Sequence, residues 1–429
     1  MDQLTICLII FVLTVISYCV GKISMASTSI VSLLLLSLTG CLSADEAVAY
    51  FGDGTVVMIG GMCVVAAGFN RTQFCDTIAQ ALSRRAKGNM TAILGGYVIL
   101  GIILSQFIQS PVAVFGIVAP MLASSARAAG ISPSKVMFSL GVAVVATCCT
   151  LPVGAGATVA AEFNGYLESY GYTDFTAGLA DAALGRTPLL ILCALYCIFL
   201  APKFAPEKPV VETKEAAAKS GTKAPLSPFA ERAGYIIFIL VALGLTFAKQ
   251  LGLDNWQVTV IGAVLMVLCG VLKPKEATGA LPMSMLLLIV GALGMADALA
   301  ATGAGDLIGG YMADLYGAVN GNSYIMGAVF FTVPFLMTQV MQNRATMMIF
   351  HPIAIATCAS VGGNPIGLMI LIQAGCLTAF MTPMATAAIP YMMDYGGYDQ
   401  PTMFKMSWRP AILFTVVAVA WVMTIFPIL

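Results

Sequence analysis

Charge is scarce in this chain. Only 9% of its 429 residues are charged and 59% are hydrophobic, whereas soluble globular domains carry about 25% charged residues. That shortage excludes the water-soluble class. The net charge is zero, so no nucleic-acid partner is implied. Histidine is nearly absent: His351 stands alone, which rules out H-E-x-x-H metal sites and histidine-based triads. No G-x-x-x-x-G-K-[ST] loop occurs, which argues against an ATP-driven pump. The 12 cysteines form no C-x-x-C pair and read as small buried hydrophobes. An enzyme is not expected, nor an organic cofactor.

Long apolar runs are plentiful. They cover 4–18, 29–42, 235–248, 258–272, 283–294 and 411–429, approaching the ~20 residues a helix needs to cross a bilayer. Backbone in lipid must satisfy its own hydrogen bonds, so these runs are predicted helices. The ~10-residue alternating segments of a membrane β-barrel are missing. The first run has no basic segment before it and no A-x-A site after it, and is expected as a spanning helix rather than a cleaved signal.

The chain repeats itself. Glu46-Ala47 returns as Glu276-Ala277, Thr72 as Thr302 and Asp76 as Asp306, each shifted by 230. After a two-residue insertion the shift is 232: Pro120 matches Pro352, Pro133 matches Pro365, and Thr150 matches Thr382. Internal symmetry of this kind marks secondary transporters. The first repeat is placed at 1–202, with scaffold helices at 1–70, an interfacial arm at 71–88 and a transport part at 90–202. A polar linker follows at 203–232. The second repeat covers 233–429, with scaffold helices at 233–301, an arm at 302–317 and a transport part at 320–429.

Charge sets the orientation. With the N-terminus outside, 17 of the 20 basic residues face the cytoplasm, as the positive-inside rule requires. Arg186 and Lys249 then fall outside, and Arg344 falls within the membrane. Glu162 and Asp297 are expected at solvated interfaces. The predicted fold class is an all-α membrane protein with two inverted-topology repeats, about 10 transmembrane helices and two re-entrant hairpins.

Four stretches interrupt apolar helices with polar residues, three of them with proline or glycine as well: 105–111, 147–156, 338–346 and 378–386. Non-helical backbone at membrane depth survives only inside protein or along a wet cavity. Helix N-termini there suit a carboxylate or sulfate. The candidate substrate residues are therefore Gln109, Ser110, Thr150, Gly154, Gln342, Asn343, Arg344, Thr346, Thr382, Pro383 and Thr386. Arg344 stands out, because a central membrane charge costs about 2.5–3.5 kcal/mol on insertion scales. Its guanidinium matches carboxylates in a fork. A structural pair with a nearby acid is the plain alternative. His351, beside Pro352, is expected to pack rather than relay protons.

Taken together, 44–47 with the stretch to Ile78, the segment ending at Pro120, Ser132-Pro133-Ser134, 282–308 and Phe380-Met381-Thr382-Pro383 resemble the divalent anion/sodium symporter family of the ion transporter superfamily. The resemblance covers nearly the whole chain. It implies a homodimeric elevator carrier of di- or tricarboxylates in the cell inner membrane, with arms joining a fixed scaffold to a mobile part. Family members carry Ser-Asn-Thr at each hairpin tip. Here those positions hold Ser110-Pro111-Val112 and Gln342-Asn343-Arg344, so only Ser110 and Asn343 match. Asn343 is left as a sodium ligand, and proton coupling or exchange becomes an equal expectation. A sulfate or other oxyanion carrier, a cation/proton antiporter, and a channel or receptor that kept the fold are the alternatives.

Overall fold

The computed structural model describes residues 2–20, 22–73, 89–108, 110–211, 226–246, 248, 252–281, 283–339, 342–382, 386 and 388–429. Most of the expected first arm, residues 212–225 of the linker, Gln109 and Pro383 lie outside the described residues. Among those described, all regular structure is helical. The first half runs α1 (Gln3–Val20), α2 (Met25–Leu38), α3 (Ala44–Ala49), α4 (Gly54–Arg71), α5 (Met90–Phe107), α6 (Pro111–Ala128), α7 (Met137–Ala146), α8 (Thr158–Tyr170) and α9 (Asp181–Leu195, continuing to Phe204). The second runs α10 (Pro228–Thr246), α11 (Asn255–Leu268), α12 (Pro274–Gly279), α13 (Met283–Ala301), α14 (Ala304–Ala318), α15 (Ser323–Met337), α16 (Asn343–Val361), α17 (Ile366–Leu377), α18 (Ala388–Gly396) and α19 (Gln400–Ile425).

Among the described residues, seven helical stretches are long and apolar enough to cross a membrane, and α1, α2, α11 and α13 are shorter apolar helices. Apolar side chains such as Leu13, Leu34, Ile236, Val264 and Val416 are exposed on the periphery. In water they would be a liability; against acyl chains they are the lipid-facing surface.

The repeat seen in the sequence has a structural cause at three of its matched pairs. The Glu46 carboxylate accepts the Ser43 N–H at 2.9 Å, and the Glu276 carboxylate accepts the Lys273 N–H at 2.9 Å. Each glutamate closes the first turn of a short helix, α3 or α12. Pro120 and Pro352 lie inside α6 and α16, and Pro133 and Pro365 precede α7 and α17. The halves also pack reciprocally: α2 lies on α13, and α11 lies on α4. These are one helix pair with the repeats exchanged. At opposite ends of this bundle the Tyr50 hydroxyl donates to Asp297 at 2.7 Å, and Arg71 pairs with Glu276. Asp297 is thus tied to the other repeat rather than solvated.

At the centre lie α7 and α17, in which every residue is buried. At 1.5 Å per residue their 10 and 12 residues reach only about half of a ~30 Å hydrocarbon core. They are the first halves of the two broken helices, continued by α8 and α18. Two hairpins, α5–α6 and α15–α16, meet these breaks at their tips.

Candidate functional site

The first tip and the first break are stitched together by one side chain. Gln106, at the end of α5, donates from Nε2 to Thr147 O at 3.0 Å. Its Oε1 accepts the backbone N–H groups of Thr150 at 3.0 Å and Leu151 at 2.9 Å. Cys149 adds an N–H to Ser105 O at 3.1 Å. Cys149 itself sits in the left-handed region, φ 52°, a conformation that costs a non-glycine residue about 1–2 kcal/mol. The unwound backbone of 147–151 therefore finds its partners on the hairpin, not in water.

Gly154 makes this approach possible. Its φ is 58°, and a Cβ there would lie 2.8 Å from Phe107 Cα and 2.9 Å from Gln106 O. Those obstacles are backbone and cannot rotate away. Gly154→Ala is expected to push the tip from the break and destabilise the fold by about 1–3 kcal/mol. Thermal unfolding of the purified protein in detergent measures the effect.

The second tip is built with different groups. The Thr382 hydroxyl donates to Gln339 O, and the Thr338 hydroxyl donates to Asn343 Oδ1 at 2.7 Å. Asn343 opens α16, with Gln342 exposed before it as the N-cap residue and Thr346 buried one turn on. The Thr346 hydroxyl returns to Gln342 O at 3.2 Å. Thr386 is half-buried just before α18. In the first repeat, Ser110 caps α6 by accepting the Ala113 N–H at 3.3 Å, and the Thr150 hydroxyl donates to Thr147 O at 2.9 Å. Most of the candidate hydroxyls thus serve the broken backbone, while Ser110 and Gln342 stay exposed at the tips.

Arg344 joins the repeats. Its Nη1 donates to Glu162 Oε2 at 2.7 Å, with the arginine side chain 26% exposed and the glutamate side chain 4%. Glu162 belongs to α8, just past the first break. The expectation of a solvated Glu162 is corrected: its face of α8, with Phe163 and Tyr166, packs on α16. His351 lies on that same side. It is buried, with its ring edge-on to Phe163 at 5.3 Å and to Tyr166 at 5.2 Å, as a packing residue would be.

Arg186 is also corrected. Rather than lying outside, it is 1% exposed, one and a half turns inside α9. Its guanidinium donates to Cys149 O at 3.2 Å and Ala146 O at 3.1 Å. Arg344, Arg186 and Glu162 all lie within electrostatic reach of Cys149, leaving a surplus positive charge beside the break. Gln106 and Arg186 were the residues missed as site elements. The signal for Arg186 was a lone charge inside an apolar span; for Gln106 there was none beyond its place in the break.

A cavity of about 400 Å³ adjoins the other face of α8. Met58, Ala160, Asn164, Thr176, Leu245 and Asn255 are among its walls, so it separates α8 from α4, α10 and α11.

Residues 8–374 match the family described as CitMHS, citrate transporter. The chain belongs to the CitMHS citrate transporter family. Curated relatives include the uncharacterized transporter sll0640 of Synechocystis sp., 27% identical over 190 residues, and the uncharacterized transporter YfbS of Escherichia coli, 24% identical over 202 residues. These matches cover 44% and 47% of this chain but 30% and 32% of the relatives, so the chain spans about a third of their length. Among solved structures, MtrF of Neisseria gonorrhoeae, of a class of antimetabolite efflux pumps, superposes with a TM-score of 0.60 at 14% identity over 98% of this chain and 94% of that one. The YdaH transporter of Alcanivorax borkumensis gives 0.57 at 16% identity over 92% and 89%. At these identities the likeness shows the fold alone.

Proposed function

We propose that the protein is a secondary carrier of small di- or tricarboxylates, citrate foremost, and that Arg344 binds a substrate carboxylate in place of Glu162. The observation that carries this reading is the Arg344–Glu162 pair. A guanidinium at the N-terminus of a half-buried hairpin helix is an anion receptor, and here an internal carboxylate occupies it. Substrate arrives with the same chemical group and competes for the same fork. The surplus positive charge from Arg186 favours the exchange. The family's description supplies citrate as the first substrate to try.

Displacement has a consequence for coupling. Glu162 is almost fully buried, and a buried carboxylate without its partner neutralises by taking a proton. Substrate and proton then move together. Asn343, the residue left as a sodium ligand, already has its Oδ1 engaged by Thr338. The coupling ion is accordingly read as a proton.

The mobile part comprises α5–α9 and α15–α19, moving against a scaffold of α1–α4 and α10–α13 in a homodimer within the cell inner membrane. Two features favour such an elevator. The α8 face toward the scaffold carries Ala160, Ala161 and Gly165, with Ala157 just before it, a smooth surface for sliding, and the 400 Å³ cavity already separates part of it from α4, α10 and α11.

Counterflow in proteoliposomes tests the reading. Vesicles loaded with citrate should accumulate labelled citrate transiently, with saturation, faster with a proton gradient and unchanged by sodium. Absence of counterflow across a panel of di- and tricarboxylates would overturn it.

A further inference from the structure

The closing helix of each repeat sends side-chain donors to the carbonyls of its own break. In the second repeat α19 does this with neutral groups: Ser407 donates to Phe380 O at 3.2 Å, and Gln400 donates to Met381 O at 2.7 Å. In the first repeat α9 does it with Arg186, bound to Ala146 O and Cys149 O. Satisfying these carbonyls therefore does not require a charge. Yet Arg186 brings a full one into the most buried part of the molecule, and among the described residues no carboxylate lies within 4 Å of it. Burying an unpaired charge is far more costly than burying an amide or a hydroxyl.

What balances the charge is backbone. Ala146 is the last residue of α7, where the final carbonyls lack helical donors and the helix dipole is negative. Half-helix C-terminal ends and unwound carbonyls inside membrane carriers are cation ligands. The Arg186 guanidinium sits at such a place. Cys149 links it to the hairpin, because its C=O receives Arg186 while its N–H reaches Ser105 O on the first tip.

We infer that Arg186 is a tethered cation: it permanently fills a cation site formed by the first break, so that the first hairpin stays docked without an ion from solution. This rests on the carrier reading above and deepens it. Coupling is then left to the Arg344–Glu162 side, and the two breaks become unequal, one closed by a fixed charge and the other by neutral groups. Arg186 acts through the backbone of the break, as a positioning residue.

The test removes the tether and offers free cations instead. Wild type, Arg186→Lys, Arg186→Gln and Arg186→Ala are compared for citrate counterflow and for thermal unfolding, in choline, sodium or millimolar guanidinium chloride. Wild type and Arg186→Lys should ignore the cation. Arg186→Gln and Arg186→Ala should lose about tenfold or more of the counterflow in choline. Sodium or guanidinium should restore most of it and raise their unfolding temperature. Full activity of Arg186→Gln in choline overturns the inference. So does loss of activity that neither cation relieves in a variant that unfolds like wild type. Should both neutral variants fail to fold, Arg186→Lys decides: cation dependence there also overturns it. If wild type itself shows no counterflow, the carrier reading fails, but the thermal arm still answers for Arg186.

Discussion

Arg344→Gln should abolish citrate counterflow. The substitution removes the guanidinium that accepts the anion and leaves Glu162 without its partner. Breaking a buried pair from one side typically costs about 3–5 kcal/mol, a factor of a hundred or more in an equilibrium constant. Some of that loss would be stability rather than binding. The double variant Arg344→Gln/Glu162→Gln separates the two, since removing both charges relieves the orphaned carboxylate. It should recover most of the unfolding temperature and none of the transport. If the double variant carries citrate at the wild-type rate, Arg344 is only a structural counterion.

Gln106→Leu should be nearly as damaging for a different reason. Leucine fills the space but leaves the N–H groups of Thr150 and Leu151 and the carbonyl of Thr147 without the amide that now holds them. Each N–H so orphaned costs about 1–3 kcal/mol, while Thr147 O keeps the Thr150 hydroxyl. The first tip should come loose from the break, lowering the unfolding temperature and removing transport together. The check is thermal unfolding alongside counterflow, with Ser110→Ala as a mild control. Ser110 gives one capping bond at an exposed helix start, worth about 1 kcal/mol. Equal effects of the two substitutions would contradict the clamp.

Much of this architecture was legible in the sequence because bilayers leave few choices. Scarce charge and repeated apolar runs forced helices. The offsets of 230 and 232 residues marked equivalent positions, and the structure shows why those positions persist: Glu46 and Glu276 close short helices, and Pro133 and Pro365 open the broken ones. The interruptions were visible as proline and polar residues in apolar surroundings. The helices do stop where expected, α5 at Phe107 and α15 at Met337.

The pairing of side chains was not legible, because it depends on which helix faces cross. Glu162 and Arg344 are 182 residues apart, and nothing local in α8 distinguishes an interfacial glutamate from a buried one. Arg186 was expected outside because nothing in the sequence marks how far its helix extends before it. The helix begins at Asp181, which carries the arginine inward beneath the C-terminus of α7. Hydroxyls posed the opposite difficulty. Thr150, Thr346 and Thr382 have the right chemistry for a ligand, but the structure commits them to the backbone of the breaks.

The direct measurement of the central claim is proton uptake on substrate binding, by isothermal titration calorimetry of the detergent-purified protein with citrate in buffers of different ionisation enthalpy. If citrate takes the place of Glu162 on Arg344, binding to wild type takes up about one proton per anion, binding to Glu162→Gln takes up about one fewer, and Arg344→Gln binds at least tenfold more weakly. Equal proton uptake by wild type and Glu162→Gln, or tight citrate binding by Arg344→Gln, would contradict it.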